Sequence, residues 1–180
     1  MALLRQILRL AVVLAGLLPM LAPGAAADFN EYHLKAAFLY NFAKFVDWPP
    51  AAGEPEGAFR VCILGDDAFE SVRETLAGKT IKGKAVDVAR VERVDAARAC
   101  QLLFVTAPDS ARAERGLSIL GNQVLTVGET DEFVKSGGLI NLKTVDNRIR
   151  FEIARLAGEQ AGFRFRVQLL QRAILVDQPK

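Results

Sequence analysis

Three short apolar runs constrain this chain more than any other feature. They are Phe59–Leu64, Leu102–Thr106 and Val124–Val127. Runs of this length, bounded by turn residues, read as buried strands because they are too short for buried helices. A helical signal follows each run. Asp67 and Glu70 have capping-box spacing ahead of Phe69, Val72 and Leu76. Pro108-Asp109 opens a second helix, and Thr130 caps a third over Asp131–Lys135. Strand and helix in alternation predict an α/β fold with a mainly parallel central sheet, right-handed crossovers and helices packed on it. The hydrophobic fraction of 51% is ample for such a core.

The flanking segments complete the expected domain. Leu34, Ala37, Phe38, Phe42, Phe45 and Val46 recur at helical spacing, so a helix is predicted within Asp28–Trp48, ended by Pro49-Pro50. Its aromatic residues Phe38, Phe42, Phe45 and Trp48 are read as core before an exposed patch. Gly83 pivots a turn between Lys79 and Lys84, and Ala85–Val91 alternates as a strand. Leu139–Val145 and Arg148–Ile153 alternate around Asp146-Asn147, which predicts a late antiparallel hairpin. A helical pair split near Gly162 is expected to end at Val176. One compact domain over roughly 29–176 is the predicted organisation.

The N-terminus reads differently. Residues 1–27 have no acidic residue, two arginines (Arg5 and Arg9), an apolar run over Leu10–Leu18, and Ala25-Ala26-Ala27 before Asp28. A basic, an apolar and a small-residue region in that order predict a secretory signal cleaved after Ala27. The apolar run is shorter than the ~20 residues of a membrane span. Arg5 and Arg9 account for the whole formal net charge of +2, so residues 28–180 balance at zero. That balance argues against nucleic acid as a partner. With one His and two Cys, a Cys/His zinc site is not expected. Export also leaves two readings for Cys62 and Cys100. They form a disulfide, which closes a loop and stabilises by about 4 kcal/mol, or they are two buried thiols. An oxidising compartment favours the bond.

Catalytic motifs are sparse. Gly65-Asp66-Asp67 ends a strand, where α/β sheets often place sites, and two carboxylates there suit Mg²⁺. The helix cap at Asp67 accounts for one of them. Gly78-Lys79-Thr80 lacks the glycine spacing of a phosphate loop. His33 has no visible partner nucleophile. Arg148 and Arg150 alternate on one strand face, solvated or facing an acidic partner.

Several segments resemble the YfiR-like periplasmic family. They are Lys35–Val46 (KAAFLYNFAKFV) with Trp48-Pro49, Phe59–Asp67 (FRVCILGDD) and Gly78–Lys84 (GKTIKGK). Further on come Cys100 before Leu102–Val105, Val124–Gly128, Gly137–Asn141, Asn147–Ile153, and Gln168–Leu170 with Ala173. The chain departs from the family pattern at Ala154, where Asn is common, and over Arg155–Gln160. The resemblance implies a regulator without catalysis or cofactor. It implies binding to the periplasmic domain of an inner-membrane diguanylate cyclase of the YfiN type, repression of cyclic di-GMP synthesis, and sequestration by an outer-membrane-associated YfiB-like protein. Cys62 and Cys100 fall on the family's cysteine positions, which adds to the case for pairing. On this reading Ile140, Phe151 and Glu152 are the expected partner contacts, and a homodimer through the apolar helix or the hairpin edge is compatible. The other reading is a small-ligand-binding sensor using Gly65-Asp66-Asp67 with Thr106.

Overall fold

A computed structural model describes residues 31–50 and 57–176. The predicted signal at 1–27 lies outside the described residues. The first helix, α1 (Glu31–Phe45), is followed by a two-residue strand β1 (Val46–Asp47). Then come β2 (Phe59–Leu64), α2 (Phe69–Leu76), β3 (Thr80–Ile81) and β4 (Lys84–Val91). A 3-10 segment over Val94–Ala99 leads to β5 (Leu102–Val105), and α3 (Ser110–Glu114) and a 3-10 turn at Leu117–Leu120 lead to β6 (Leu125–Gly128). The hairpin β7 (Ile140–Val145) and β8 (Arg148–Ile153) precedes α4 (Arg155–Gln160), β9 (Arg164–Phe165), α5 (Val167–Leu170) and β10 (Ile174–Leu175).

The main sheet has eight strands in the order β10-β8-β7-β6-β5-β2-β4-β3. Strands β4, β2, β5, β6 and β7 run parallel, which bears out the α/β expectation. The hairpin is antiparallel and pairs Val145 with Arg148 across Asp146 and Asn147, which have φ of 49° and 59°. Two consecutive left-handed residues match the twist of the strands, as the sequence anticipated. A separate antiparallel ribbon joins β1 to β9.

Strand alternation divides the core. Val61, Ile63, Leu102, Phe104, Ile140 and Leu142 face α1 and α2 with Phe42, Leu39 and Leu76. Cys62, Leu64, Leu103 and Val105 face the opposite layer, with Val94, Leu117, Leu120 and Phe133. Phe42 of α1 is fully buried, while Phe38 and Phe45 of α1 and Trp48 beyond β1 are partly buried against the same core. The core reading of these aromatics holds.

Three local expectations are corrected. Asp67 does not cap α2: Ala68 precedes the helix in helical conformation without a side-chain cap, and Asp67 is exposed. Gly65, at φ +127°, is packed so closely on Thr106 that a Cβ there would lie 1.9 Å from Oγ1. The chain leaves β2 in a turn fixed by that contact, and Ala68 is buried at the start of α2. Residues 131–137 form successive turns instead of a capped helix. The Thr130 hydroxyl lies 2.8 Å from that of Ser110, and Phe133 is drawn fully into the core. The C-terminal helical pair is interrupted by β9 and closed by β10, because backbone pairing with β1 and β8 competes successfully with short helices.

Candidate functional site

Helix α1 runs against the parallel strands, so its first turn lies over their carboxyl ends. Glu129 immediately follows β6 there. Its carboxylate accepts hydrogen bonds from Lys35 Nζ (2.5 Å), Tyr32 Oη (3.1 Å) and the backbone N–H of Ala107 (2.7 Å). Lys35 also pairs with Glu31 at 2.9 Å, and Glu31 accepts from the Thr144 hydroxyl at 2.7 Å. The side chains of Lys35 and Glu129 are only 10% and 4% exposed. Four segments, α1, the chain after β5, the end of β6 and β7, therefore meet around one buried ion pair.

The surroundings set the protonation of these groups. Burial opposes the Lys35 ammonium, but hydrogen bonds to Glu129 and Glu31 outweigh it and raise its pKa above the ordinary lysine value. Burial, then the Glu129 charge and hydrogen bond, push the Tyr32 phenol well up. The hydrogen bond from Lys35, with that from Thr144, holds the Glu31 carboxyl low. Lys35 thus stays a cation and Tyr32 a donor. Neither is poised as a nucleophile or a base at neutral pH. The cluster is an electrostatic clamp between α1 and the strand ends.

Beside the clamp is a shallow depression lined by Glu129, Thr130, Asp131, Lys143, Thr144 and Val145. Lys143 bridges Glu152 (2.8 Å) and Asp131 (3.0 Å). The hydrogen bonds it donates to those two carboxylates, Glu152 first, raise its pKa. Asn141, fully buried, donates to Glu152 at 3.3 Å.

The residues expected to meet a partner lie on two faces of the hairpin. Ile140 and Phe151 are buried, at 0% and 5% exposure, and Phe151 makes edge-on ring contacts with Phe42 (5.1 Å) and Phe38 (5.9 Å). They are placed as core side chains. Glu152 points to the other face, where it is largely covered by Lys143 and Asn141. Arg148 and Arg150 lie exposed on that face, with no ion pair among the described residues.

At Gly65-Asp66-Asp67 the structure brings Thr106 directly against Gly65. Thr106 fills the end of β2, and Asp66 is taken by Arg90 at 2.9 Å. Among the described residues no three His, Cys, Asp or Glu side chains cluster as a metal site. His33 lies on the exposed face of α1, 3.4 Å from Glu74. Cys62 and Cys100 form a disulfide with a Cα–Cα distance of 6.0 Å, tying β2 to the segment before β5. The clamp was missed in the sequence because its members lie up to 113 positions apart. A weak signal was present: Lys35 is a charge on the apolar side of α1, and Glu129 directly ends a buried run.

Comparisons agree with this architecture. No curated protein gives a significant match. A crystal structure described as a conserved domain protein from Vibrio cholerae O1 biovar eltor is similar in fold, with a TM-score of 0.56 and 12% identity. The match covers 81% of this chain but 60% of that one. The YfiR/HmsC-like family model matches residues 32–174, from the Tyr32 of the clamp to the Ile174 of the last strand. The chain belongs to the YfiR/HmsC-like family.

Proposed function

We propose that the protein is an exported regulator, matured by removal of residues 1–27. It acts in the periplasm by binding the periplasmic region of an inner-membrane signalling protein, a diguanylate cyclase, and lowering cyclic di-GMP synthesis. Family membership over residues 32–174 carries this reading. The absence of a membrane-spanning helix among the described residues is compatible with it. So is the disulfide, which suits an oxidising compartment.

A partner surface is available at the C-terminal corner of the sheet. Strand β10 is an edge strand with Ile174 and Leu175 about half exposed, and it runs beside the end of β8, where α4 begins with Leu156 41% exposed. Arg148, Arg150 and Val145 continue the exposed surface along the hairpin. Ile140 and Phe151 support this surface from beneath, and Glu152 anchors its polar side. Exposed apolar residues with a charged rim suit a protein partner. Regulation needs only tighter binding to the inactive state of the cyclase: each tenfold preference shifts the balance by about 1.4 kcal/mol.

The test is deletion of the gene with measurement of cyclic di-GMP, complemented by the full chain and by a version lacking residues 1–27. Cyclic di-GMP is expected to rise on deletion and to return only with the full chain. Unchanged levels under several envelope stresses would count decisively against a cyclase partner.

A further inference from the structure

The opposite end of α1 carries a second cluster, unrelated to the hairpin corner. Here α1, the β1–β9 ribbon and the β3–β4 hairpin meet at the amino ends of the parallel strands. Trp48 marks the place: its ring packs edge-on against Phe59 at the start of β2, and its indole N–H donates to the Gln101 carbonyl at 3.0 Å. Lys82, at the tip of the β3–β4 turn, holds its ammonium 5.0 Å from the Trp48 ring centre. Tyr40 donates to the Thr80 carbonyl at 3.1 Å, and its ring lies between Lys44 (5.2 Å) and Lys79 (5.5 Å). Asp47 accepts from both Lys82 (3.1 Å) and Arg166 (3.3 Å), and it is paired across the ribbon with Arg164. Beyond the ribbon, Glu159 is engaged by Arg155.

Five cations, Lys44, Lys79, Lys82, Arg164 and Arg166, thus lie exposed at this end, and two of them, Lys82 and Arg166, share the Asp47 carboxylate. Among the described residues at this end the carboxylates facing them are Asp47 and Glu159, so the cations are in excess there. The rings hold Lys44, Lys79 and Lys82 by their ammonium groups, and all three side chains stay exposed at the surface. Val167, directly after Arg166, is 64% exposed, the most exposed large apolar residue among those described. Outward cations, half-buried Tyr and Trp, and a protruding aliphatic side chain match the layered chemistry of a lipid headgroup region. A free phosphate or an acidic protein segment would leave Val167 without a role.

We infer that this end of the molecule binds an anionic phospholipid surface, through Lys44, Lys79, Lys82 and Arg166 with Val167 entering the headgroup layer. Such contact would confine the protein to the membrane face and leave the hairpin corner free for its partner. The biological setting rests on the export reading, but the binding test contains no cyclase, so either idea can fail alone.

The experiment uses the folded, oxidised protein with vesicles of phosphatidylglycerol and phosphatidylcholine, compared with phosphatidylcholine alone. Trp48 is the only tryptophan, so its fluorescence reports on this surface directly. Binding is expected only to the anionic vesicles, weakened by salt, with Trp48 quenched by brominated lipid. The triple variant Lys44→Gln, Lys79→Gln, Lys82→Asn is expected to bind about a hundredfold more weakly, at roughly fivefold per lysine, with an unchanged circular dichroism spectrum. Asn suits the left-handed backbone at position 82, where φ is 51°. Arg148→Gln with Arg150→Gln is expected to bind like the wild type. Equal binding to both vesicle types, a triple variant within threefold of wild type, or an equal loss in the Arg148/Arg150 variant would each overturn the inference.

Discussion

Removing the cation from the clamp is the sharpest test of how α1 is held. In Lys35→Met, Glu129 keeps its hydrogen bonds from Tyr32 and Ala107 but loses the one cation that pairs with it among the described residues. Breaking a buried ion pair costs roughly 3–5 kcal/mol, mostly from the charge left behind. The two surviving donors place this variant at the lower end, about 3 kcal/mol. For a domain of this size that lowers Tm by roughly 10 °C. Adding Glu129→Gln removes the stranded charge, and the double variant is expected to recover about 1 kcal/mol or more. Urea unfolding followed by circular dichroism at pH 7 measures both variants. A loss below about 1 kcal/mol in Lys35→Met, the range of an exposed pair, would refute the clamp. So would a double variant no more stable than Lys35→Met.

Reducing the Cys62–Cys100 bond, which spans a sequence separation of 38, should cost about 4 kcal/mol in the chain-entropy model; thermal unfolding with and without reductant measures it. Gly65→Ala combines a φ of +127° with a Cβ 1.9 Å from Thr106 Oγ1 and should destabilise by about 3 kcal/mol or more, read as lost soluble yield or lowered Tm. Acid should weaken the native state through Glu31 and Asp47. Hydrogen bonds from Lys35 and Thr144 hold Glu31 low; for Asp47, burial raises the pKa, but hydrogen bonds from Lys82 and Arg166 outweigh it. Both carboxylates have depressed folded pKa values, so their stabilisation is present above the ordinary carboxylate range and lost as pH falls through the folded values. An acid titration of Tm should show the loss reduced in Asp47→Asn.

Much of this architecture was legible because it rests on local rules. Phe59–Leu64 and Leu102–Val105 are near-continuous apolar runs whose side chains point to both faces, so they require a sheet covered on both sides, and the structure supplies a layer on each. Asp146-Asn147 set the hairpin turn through a conformation that those two residue types tolerate. The family signature was readable in order along the chain for the same reason: its segments are the strands, turns and first helix themselves.

Packing decided the rest. Asp67 has the composition of a helix cap, but the Gly65–Thr106 contact turns the chain so that Ala68 takes that place. Phe151 and Ile140 look like surface candidates in a list of hairpin residues, yet β-sheet register directs both inward against Phe42 and its neighbours. The Lys35–Glu129 clamp and the cationic end around Asp47 join residues 94 and up to 119 positions apart, and no spacing rule connects them. The sequence by itself determined which segments become strands and which turns join them, because those preferences act within a few residues. Only the tertiary structure decided which charges are buried together and which remain outward, because burial depends on what the rest of the chain places alongside.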